Sequence, residues 1–135
     1  MKITSFKRKR DLIVVRARLR SLRSDKRVSL VVDTGSSDTV VLPETIEELG
    51  YSVRDGEHVM TVRSAVGKEQ GWTLRVKRFS AFGFVAPDYR IHVFDLATGR
   101  DIDGLIGLSF LRQFNCEFRF AEGRIRAERA AAGGG

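Results

Sequence analysis

Val31-Val32-Asp33-Thr34-Gly35-Ser36-Ser37-Asp38-Thr39-Val40 decides how this chain is read, because an apolar run breaks there into a polar cluster around a glycine before apolar residues resume. Such punctuation ends a strand in a loop that displays its side chains. Asp-Thr-Gly at that point sets a carboxylate on a loop whose glycine lets backbone amides approach the oxygens. The same residues also fit an ordinary turn, with Asp33 capping the backbone and Thr34 filling an extended position.

Working outward, Val28 to Val32 reads as the strand that delivers the loop. Ahead of it Ile13, Val15, Ala17 and Leu19 alternate with Arg16, Arg18 and Arg20, and Ser24-Asp25-Lys26 reads as the turn between the two strands. Downstream, Val40-Val41-Leu42 is a short strand, and Pro43 ahead of Glu44-Thr45-Ile46-Glu47-Glu48-Leu49-Gly50 predicts one or two helical turns closed by glycine. Alternation resumes from Val59 to Phe84 on both sides of Ala65-Val66-Gly67-Lys68-Glu69, the pattern of a long hairpin. Its second arm carries Trp72, Leu74 and Val76 opposite Thr73, Arg75 and Lys77. A strand near Ile91 to Phe94 and a turn at Ala97-Thr98-Gly99-Arg100 follow. Asp103-Gly104-Leu105-Ile106-Gly107 then leads into a short amphipathic helix. Phe114, Cys116, Phe118 and Phe120 alternate as a strand, and Ala121-Glu122-Gly123 turns the chain into a last strand, Arg124 to Glu128. The fold class is all-β with short helices. One domain is expected over 11–128, between a basic N-terminal segment, 1–10, free to be flexible, and a flexible Ala/Gly tail, 129–135.

The 135 residues, 42% hydrophobic and 30% charged, suffice for one compact core without a metal or disulfide staple. Cys116 is the single cysteine, its apolar alternation favours a packed thiol, and no stretch approaches the ~20 apolar residues of a membrane span. The N-terminus leads into alternating Val and Arg in place of a signal core, so a cytoplasmic location is expected. The net charge of +7 is concentrated: residues 1–27 hold eleven Lys or Arg against Asp11 and Asp25, and the remainder is slightly acidic. A basic strand there reads either as a site for nucleic acid or an acidic protein, or as the solvated face of an edge strand protected against aggregation. His58 and His92 lack a further ligand at metal spacing, so no metal and no cofactor are expected. Phe79, Phe82, Phe84 and Phe94 read as core or interface filling, and nucleic acid is an unlikely partner on that count.

Asp33-Thr34-Gly35, followed about seventy residues later by Gly104-Leu105-Ile106-Gly107 and a short helix, resembles the retropepsins, the single-domain, retroviral-type aspartic proteases. The resemblance spans Val28 to Phe120 and includes the intervening hairpin, which matches the family's flap in position and length. It implies a single-lobe closed β barrel and a homodimer, since each chain supplies one aspartate of a two-carboxylate site. By that resemblance Asp33 is catalytic, Thr34 braces the loop against the opposite subunit, and Gly35 brings its backbone close to the carboxylate and the peptide substrate. Val31, Val40, Val66 and Leu105 would line pockets for an extended protein or peptide, and Gly35 and Ser37 would bond its backbone. Ala65, Val66 and Gly67 would close as the flap tip, and Asp38 and Asp103 would stand on the cleft rim. Two positions depart together from the retroviral pattern. Ser37 stands where an acid is usual, and Leu108 where its arginine partner is usual. Retroviral chains also end near the position of Phe120, so the extra strand after Gly123 implies an interface built on a C-terminal hairpin. A dimer of this fold that binds peptide without cleaving it, and a basic-strand binder, are the alternatives.

Overall fold

The computed structural model describes residues 1–9, 11–64, 67–96 and 101–130. In chain order the strands and helices are β1 (Lys2–Ser5), β2 (Lys7–Lys9), β3 (Leu12–Arg20), β4 (Asp25–Val32), β5 (Val40–Val41), α1 (Pro43–Glu48), β6 (His58–Ser64) and β7 (Gly67–Ala81). After these come β8 (Phe84–Val93), β9 (Gly104–Ile106), α2 (Leu108–Leu111), β10 (Phe114–Arg119) and β11 (Arg124–Arg129). Eight strands pair in the order β2-β3-β4-β9-β5-β8-β7-β6, and an extra pairing of β3 with β7 closes six of them into a ring. β1, β11 and β10 form a second sheet.

The ring closes because β7 is too long for one neighbour. Its first half pairs with β6 from Ser64↔Gly67 to His58↔Thr73, and its last residues pair with β3 at Leu19↔Phe79. The buried side switches on the way: Leu74 and Val76 face the core in the first half, Phe79 and Ala81 in the second. β8 makes the same switch opposite. Pro87 offers no N–H, Asp88 takes a positive φ of 47°, and the N–H of Lys77 donates to the Tyr51 hydroxyl (3.2 Å). This kink hides the strand character of Phe84 to Arg90, so β8 begins seven residues before the strand expected at Ile91. The β7–β8 connection is a two-residue turn with positive φ at Phe82 and Gly83. The Phe82 ring is buried and stacks on Phe110, which offsets a conformation that β-turn chemistry would assign to Asn or Gly.

Other boundaries also differ from the sequence reading. The β3–β4 turn is Ser21 to Ser24, and Asp25 already pairs with Arg20. Buried Ser21 organises the turn: its Oγ accepts the N–H groups of Arg23 and Ser24 and donates to the Leu49 carbonyl. The segment 1–10 is no loose extension over its described residues, since β1 pairs with β11 and β2 with β3. β3 therefore has partners on both sides and is not an edge strand. The turn expected at Ala97 to Arg100 and the last five residues of the tail lie outside the described residues, as do Ala65 and Val66.

Val15, Leu19, Leu30, Leu74, Phe79, Ile91 and Ile106 fill the ring, each at 1% exposure or less. Burying each contributes roughly 1.5–3 kcal/mol. Phe79 stacks on Tyr89 and meets Phe110 edge-on, both at 4.9 Å between ring centres, and Phe110 contacts Phe114. This aromatic string fixes α2 against the barrel. α1 follows its Pro43 start as expected and ends at Gly50, whose φ of 89° needs glycine.

Candidate active site

β4 and β9 run parallel, with Leu30, Val31 and Val32 beside Gly104, Leu105 and Ile106, so the two quoted motifs end at the same level. Asp33 continues the ladder by donating its N–H to the Ile106 carbonyl (2.9 Å). The chain then folds back on itself. The Gly35 N–H donates to Asp33 Oδ1 (2.9 Å), and the Ser36 N–H to the Asp33 carbonyl (3.2 Å). A Cβ on Gly35 would stand 3.2 Å from that carboxylate oxygen, so glycine keeps the approach open. Asp33 is half-buried, Thr34 and Gly35 are exposed, and Asp33 Oδ2 has no partner among the described residues.

The rest of the loop rests on α2. Leu108 and Ser109 donate their N–H groups to the carbonyls of Ser36 and Ser37, each at 2.8 Å, which satisfies helix-start donors that no intrahelical carbonyl reaches. Gly107 permits this contact: a Cβ there would overlap the Asp38 carbonyl and lie 2.8 Å from that of Ser36. Where the retroviral pattern uses an ion pair, the uncharged Ser37 and Leu108 are each bonded through the main chain to the other's neighbour, Ser37 to Ser109 and Leu108 to Ser36.

Beside Asp33 runs an apolar row. Val31 pairs with Leu105, Leu105 with Val40, and Val40 with His92 across β4, β9, β5 and β8. Their side chains lie on the face opposite buried Leu30, Ile106 and Val41, and all four are half-buried. At the far end His92 Nε2 approaches Asp38 Oδ2 at 3.4 Å. Val31, Val40, Leu105 and Asp38 are therefore brought together near Asp33, with Ser37 exposed on the same loop.

Asp103 is not part of this group. It lies level with Ser29, four residues back along β4, ~13 Å from Asp33 at strand spacing. One carboxylate oxygen accepts the Ser29 N–H (2.8 Å) and the other the Thr45 hydroxyl (3.2 Å), while its own N–H and C=O bond Ser29 and Leu42. It ties β4, β9 and α1 together. Gly67 opens β7 opposite Ser64, and beyond the last β7–β8 pair, Trp72↔Val93, the β6–β7 ladder continues outward without a third strand among the described residues. Trp72 packs against the core at the base of this projection, above Gly56, where a Cβ would meet its ring at 2.7 Å.

A polar cluster that the sequence does not announce stands behind the loop. Buried Thr39 shares a hydrogen bond with the Tyr89 hydroxyl (3.0 Å), which shares another with Ser109 (2.7 Å), and the Gly107 N–H donates to Thr39 Oγ1 (3.3 Å). Burial pushes the Tyr89 phenol above its usual range, against the opposing effect of those hydrogen bonds, so it stays protonated near neutrality. Thr39 lies within the stretch that decided the reading, but its polarity looked like loop. Tyr89 was hidden with the kinked half of β8, and His92, in the half that was read as a strand, carried no sign of its pairing with Asp38.

Among the described residues no three His, Cys, Asp or Glu side chains converge as a metal site, and no helix is long and apolar enough to cross a membrane. The family model described as aspartyl protease matches residues 16–110. Among solved structures, a retropepsin-like aspartic protease from Rickettsia conorii is similar at 23% identity and a TM-score of 0.66, covering 91% of this chain and 94% of that one. The EIAV protease, solved with an inhibitor, is similar at 15% identity and a TM-score of 0.58 over 78% and 90%. The retroviral protease-like domain of Ddi1 from Leishmania major gives 16% and 0.54 over 87% and 94%. No curated protein matches the chain by sequence.

Proposed function

Since the chain belongs to the aspartyl protease family, we propose that it is an aspartic endopeptidase that cleaves extended polypeptides as a homodimer, with Asp33 of each copy forming the reacting pair. The observation that carries the proposal is the half-buried Asp33 carboxylate, held by the Gly35 N–H through one oxygen and open at the other, beside the Val31–Leu105–Val40 row. Exposed Thr34 and Gly35 are the surface that a second copy would cover. The three-stranded sheet supports the same reading. Among the described residues its outer strand β10 is paired on one side alone, and a symmetry-related β10 could add to the other.

Two carboxylates at hydrogen-bond distance cannot both ionise cheaply, so the pair holds one proton and titrates as a unit. The ionised member takes a proton from a bound water as its oxygen attacks the scissile carbonyl carbon. The protonated member hydrogen-bonds the carbonyl oxygen and stabilises the charge that develops there. Collapse of the tetrahedral intermediate breaks the C–N bond, with a proton passing from the pair to the departing nitrogen. The apolar row takes substrate side chains, Asp38 and His92 border it, and the Gly35 carbonyl and the Ser37 N–H, left without a partner among the described residues, pair with the extended substrate. The projecting β6–β7 hairpin acts as the flap that shields the reaction from water, with Ala65, Val66 and Gly67 at its tip.

The test is digestion of a denatured protein mixture from acidic to neutral pH by the native chain and by Asp33→Asn. Cleavage lost in the variant supports the proposal. Equal cleavage by both, or none by either while an extended peptide still binds, leaves a binding module of this fold.

A further inference from the structure

Five arginines share one outer face of the barrel: Arg16, Arg18 and Arg20 on β3, Arg27 on β4 and Arg78 on β7. All are exposed, and two cross-strand pairs set like charges directly opposite each other, Arg18 with Arg27 and Arg20 with Arg78. Such pairs weaken a sheet. Edge protection does not explain these two pairs, because Arg18 and Arg20 lie where β3 is paired with β4 on one side and β7 on the other. Asp25, 3.3 Å from Arg18, is the one acid paired to this group among the described residues, and Arg16, Arg20, Arg27 and Arg78 have no ion-pair partner there.

The face is shaped as well as charged. A groove of about 350 Å³ crosses it, lined by Thr4, Arg16, Arg18, Arg27, Ser80 and Gly83. It is also continuous with the site: Arg27, Ser29 and Val31 alternate on the outer side of β4 and lead to Asp33, six residues and ~20 Å from Arg27. Alternate arginines on β3 are ~6.6 Å apart, the spacing of carboxylates at alternate positions of an extended peptide, and each guanidinium can take a carboxylate with two parallel hydrogen bonds. Stacking platforms for bases are missing among the residues that line the groove, where the aromatic ring is Phe82, at 2% exposure.

We infer that this arginine face is a docking site for an acidic, extended segment of the polypeptide substrate, lying outside the residues cleaved. The inference rests on the protease proposal for its consequence, and its binding step is measurable without catalysis. The first experiment titrates a fluorescein-labelled decaglutamate peptide against Asp33→Asn by anisotropy. Saturable binding that weakens steeply with added salt is expected, with a loss of roughly tenfold or more in Arg16→Gln/Arg18→Gln/Arg27→Gln. The variant's thermal midpoint should stay close to that of the parent, because the Arg18–Arg27 like-charge pair is removed along with the exposed Arg18–Asp25 ion pair, which separates lost binding from lost folding. No binding, or binding unchanged in the triple variant, overturns the inference. A single-stranded RNA oligomer that binds more tightly than decaglutamate, and is lost in the same variant, also overturns it. The second experiment compares one cleavable peptide with and without an acidic tail. The tail should lower KM for the native chain and not for the triple variant, with kcat the same for both. Decaglutamate binding without any cleavage removes the protease proposal and leaves the site; cleavage indifferent to the tail removes the docking role.

Discussion

Asp33 and Asp103 stand at opposite ends of the same paired strands, β4 and β9, and the chain uses them in opposite ways. Asp103 spends both carboxylate oxygens on its own fold, one on the Ser29 N–H and one on the Thr45 hydroxyl. Asp33 spends one, on the Gly35 N–H, and its neighbours Thr34 and Gly35 face outward. A carboxylate saturated by internal donors holds a structure together; one with acceptor capacity left over can meet water or a substrate. Unused hydrogen-bonding capacity marks the candidate site better than the presence of an acid does.

The sharpest way to break the comparison is to remove each charge. Asp33→Asn is expected to lower kcat/KM by ~1,000-fold or more, since general acid–base catalysis alone is worth about 10² to 10⁴. Its urea midpoint should stay close to the parent's, because an amide oxygen can still accept the Gly35 N–H. A large fall in stability would make Asp33 a second Asp103. The glycines at the two ends of β9 come next. Gly107→Ala is expected to destabilise by about 3 kcal/mol or more, because its Cβ would overlap the backbone carbonyl of Asp38 in a loop held at both ends. Gly104→Ala meets the Val40 carbonyl in the same way. If Gly107→Ala is tolerated with full activity, the loop is not pinned on α2 as the hydrogen bonds from Leu108 and Ser109 require.

Asp103→Ala should cost about 2–3 kcal/mol, the penalty for leaving the Ser29 N–H and Thr45 hydroxyl without their charged acceptor. Specific activity per folded molecule should be retained. A changed peptide preference with unchanged stability would return Asp103 to the cleft rim, where the resemblance had put it. Asp103 directly precedes Gly104-Leu105-Ile106-Gly107. The parallel pairing of β4 with β9 sends the two ends of that motif ~10 Å apart, and only the Gly107 end meets Asp33.

Much of the barrel was legible for the same reason that part of it was not. Period-two alternation found β3, β4, β10 and β11, because each keeps one face to the core along most of its length. It failed for β8, where the buried side changes at Pro87 and Asp88, and it gave no warning that β7 would change sides opposite. Ring closure imposes that change, and a closure is a property of partners distant in sequence. Phe82 was read as core filling, correctly, but its turn conformation was invisible because a buried ring, and not local chemistry, holds it. The N-terminal strands were missed since Lys2–Ser5 and Lys7–Lys9 expose most of their side chains and take their order from β11 and β3. At the candidate site, Asp33, Val31, Val40 and Leu105, which the structure brings together, were all named from the motif. The motif was silent on Thr39, Tyr89 and Ser109, whose role is to link loop, strand and helix from behind.

That rear cluster supplies the smallest expected effect and the one that distinguishes the two ends by pH. The Tyr89 phenol is pushed above its ordinary value of 10.0, chiefly by burial, with the Ser109 and Thr39 hydrogen bonds acting the other way and Asp38 adding to the rise. Burial likewise raises Tyr51 and, from 9.0, the Cys116 thiol. In each case the folded chain holds its proton more tightly than the unfolded one. The stability this contributes is intact below the unfolded value and is lost as pH rises through and beyond it. Urea midpoints should therefore be level near neutrality and decline above pH 9 to 10. Tyr89→Phe should cost about 1 kcal/mol at pH 7, for one lost hydrogen-bonded hydroxyl, and should make the alkaline decline shallower. Asp103→Ala, which carries no such phenol, should lower the whole profile and keep its slope. A Tyr89→Phe profile parallel to the parent's would mean that the phenol ionises as freely in the folded chain as in the unfolded one, and that its burial does not hold the proton in place.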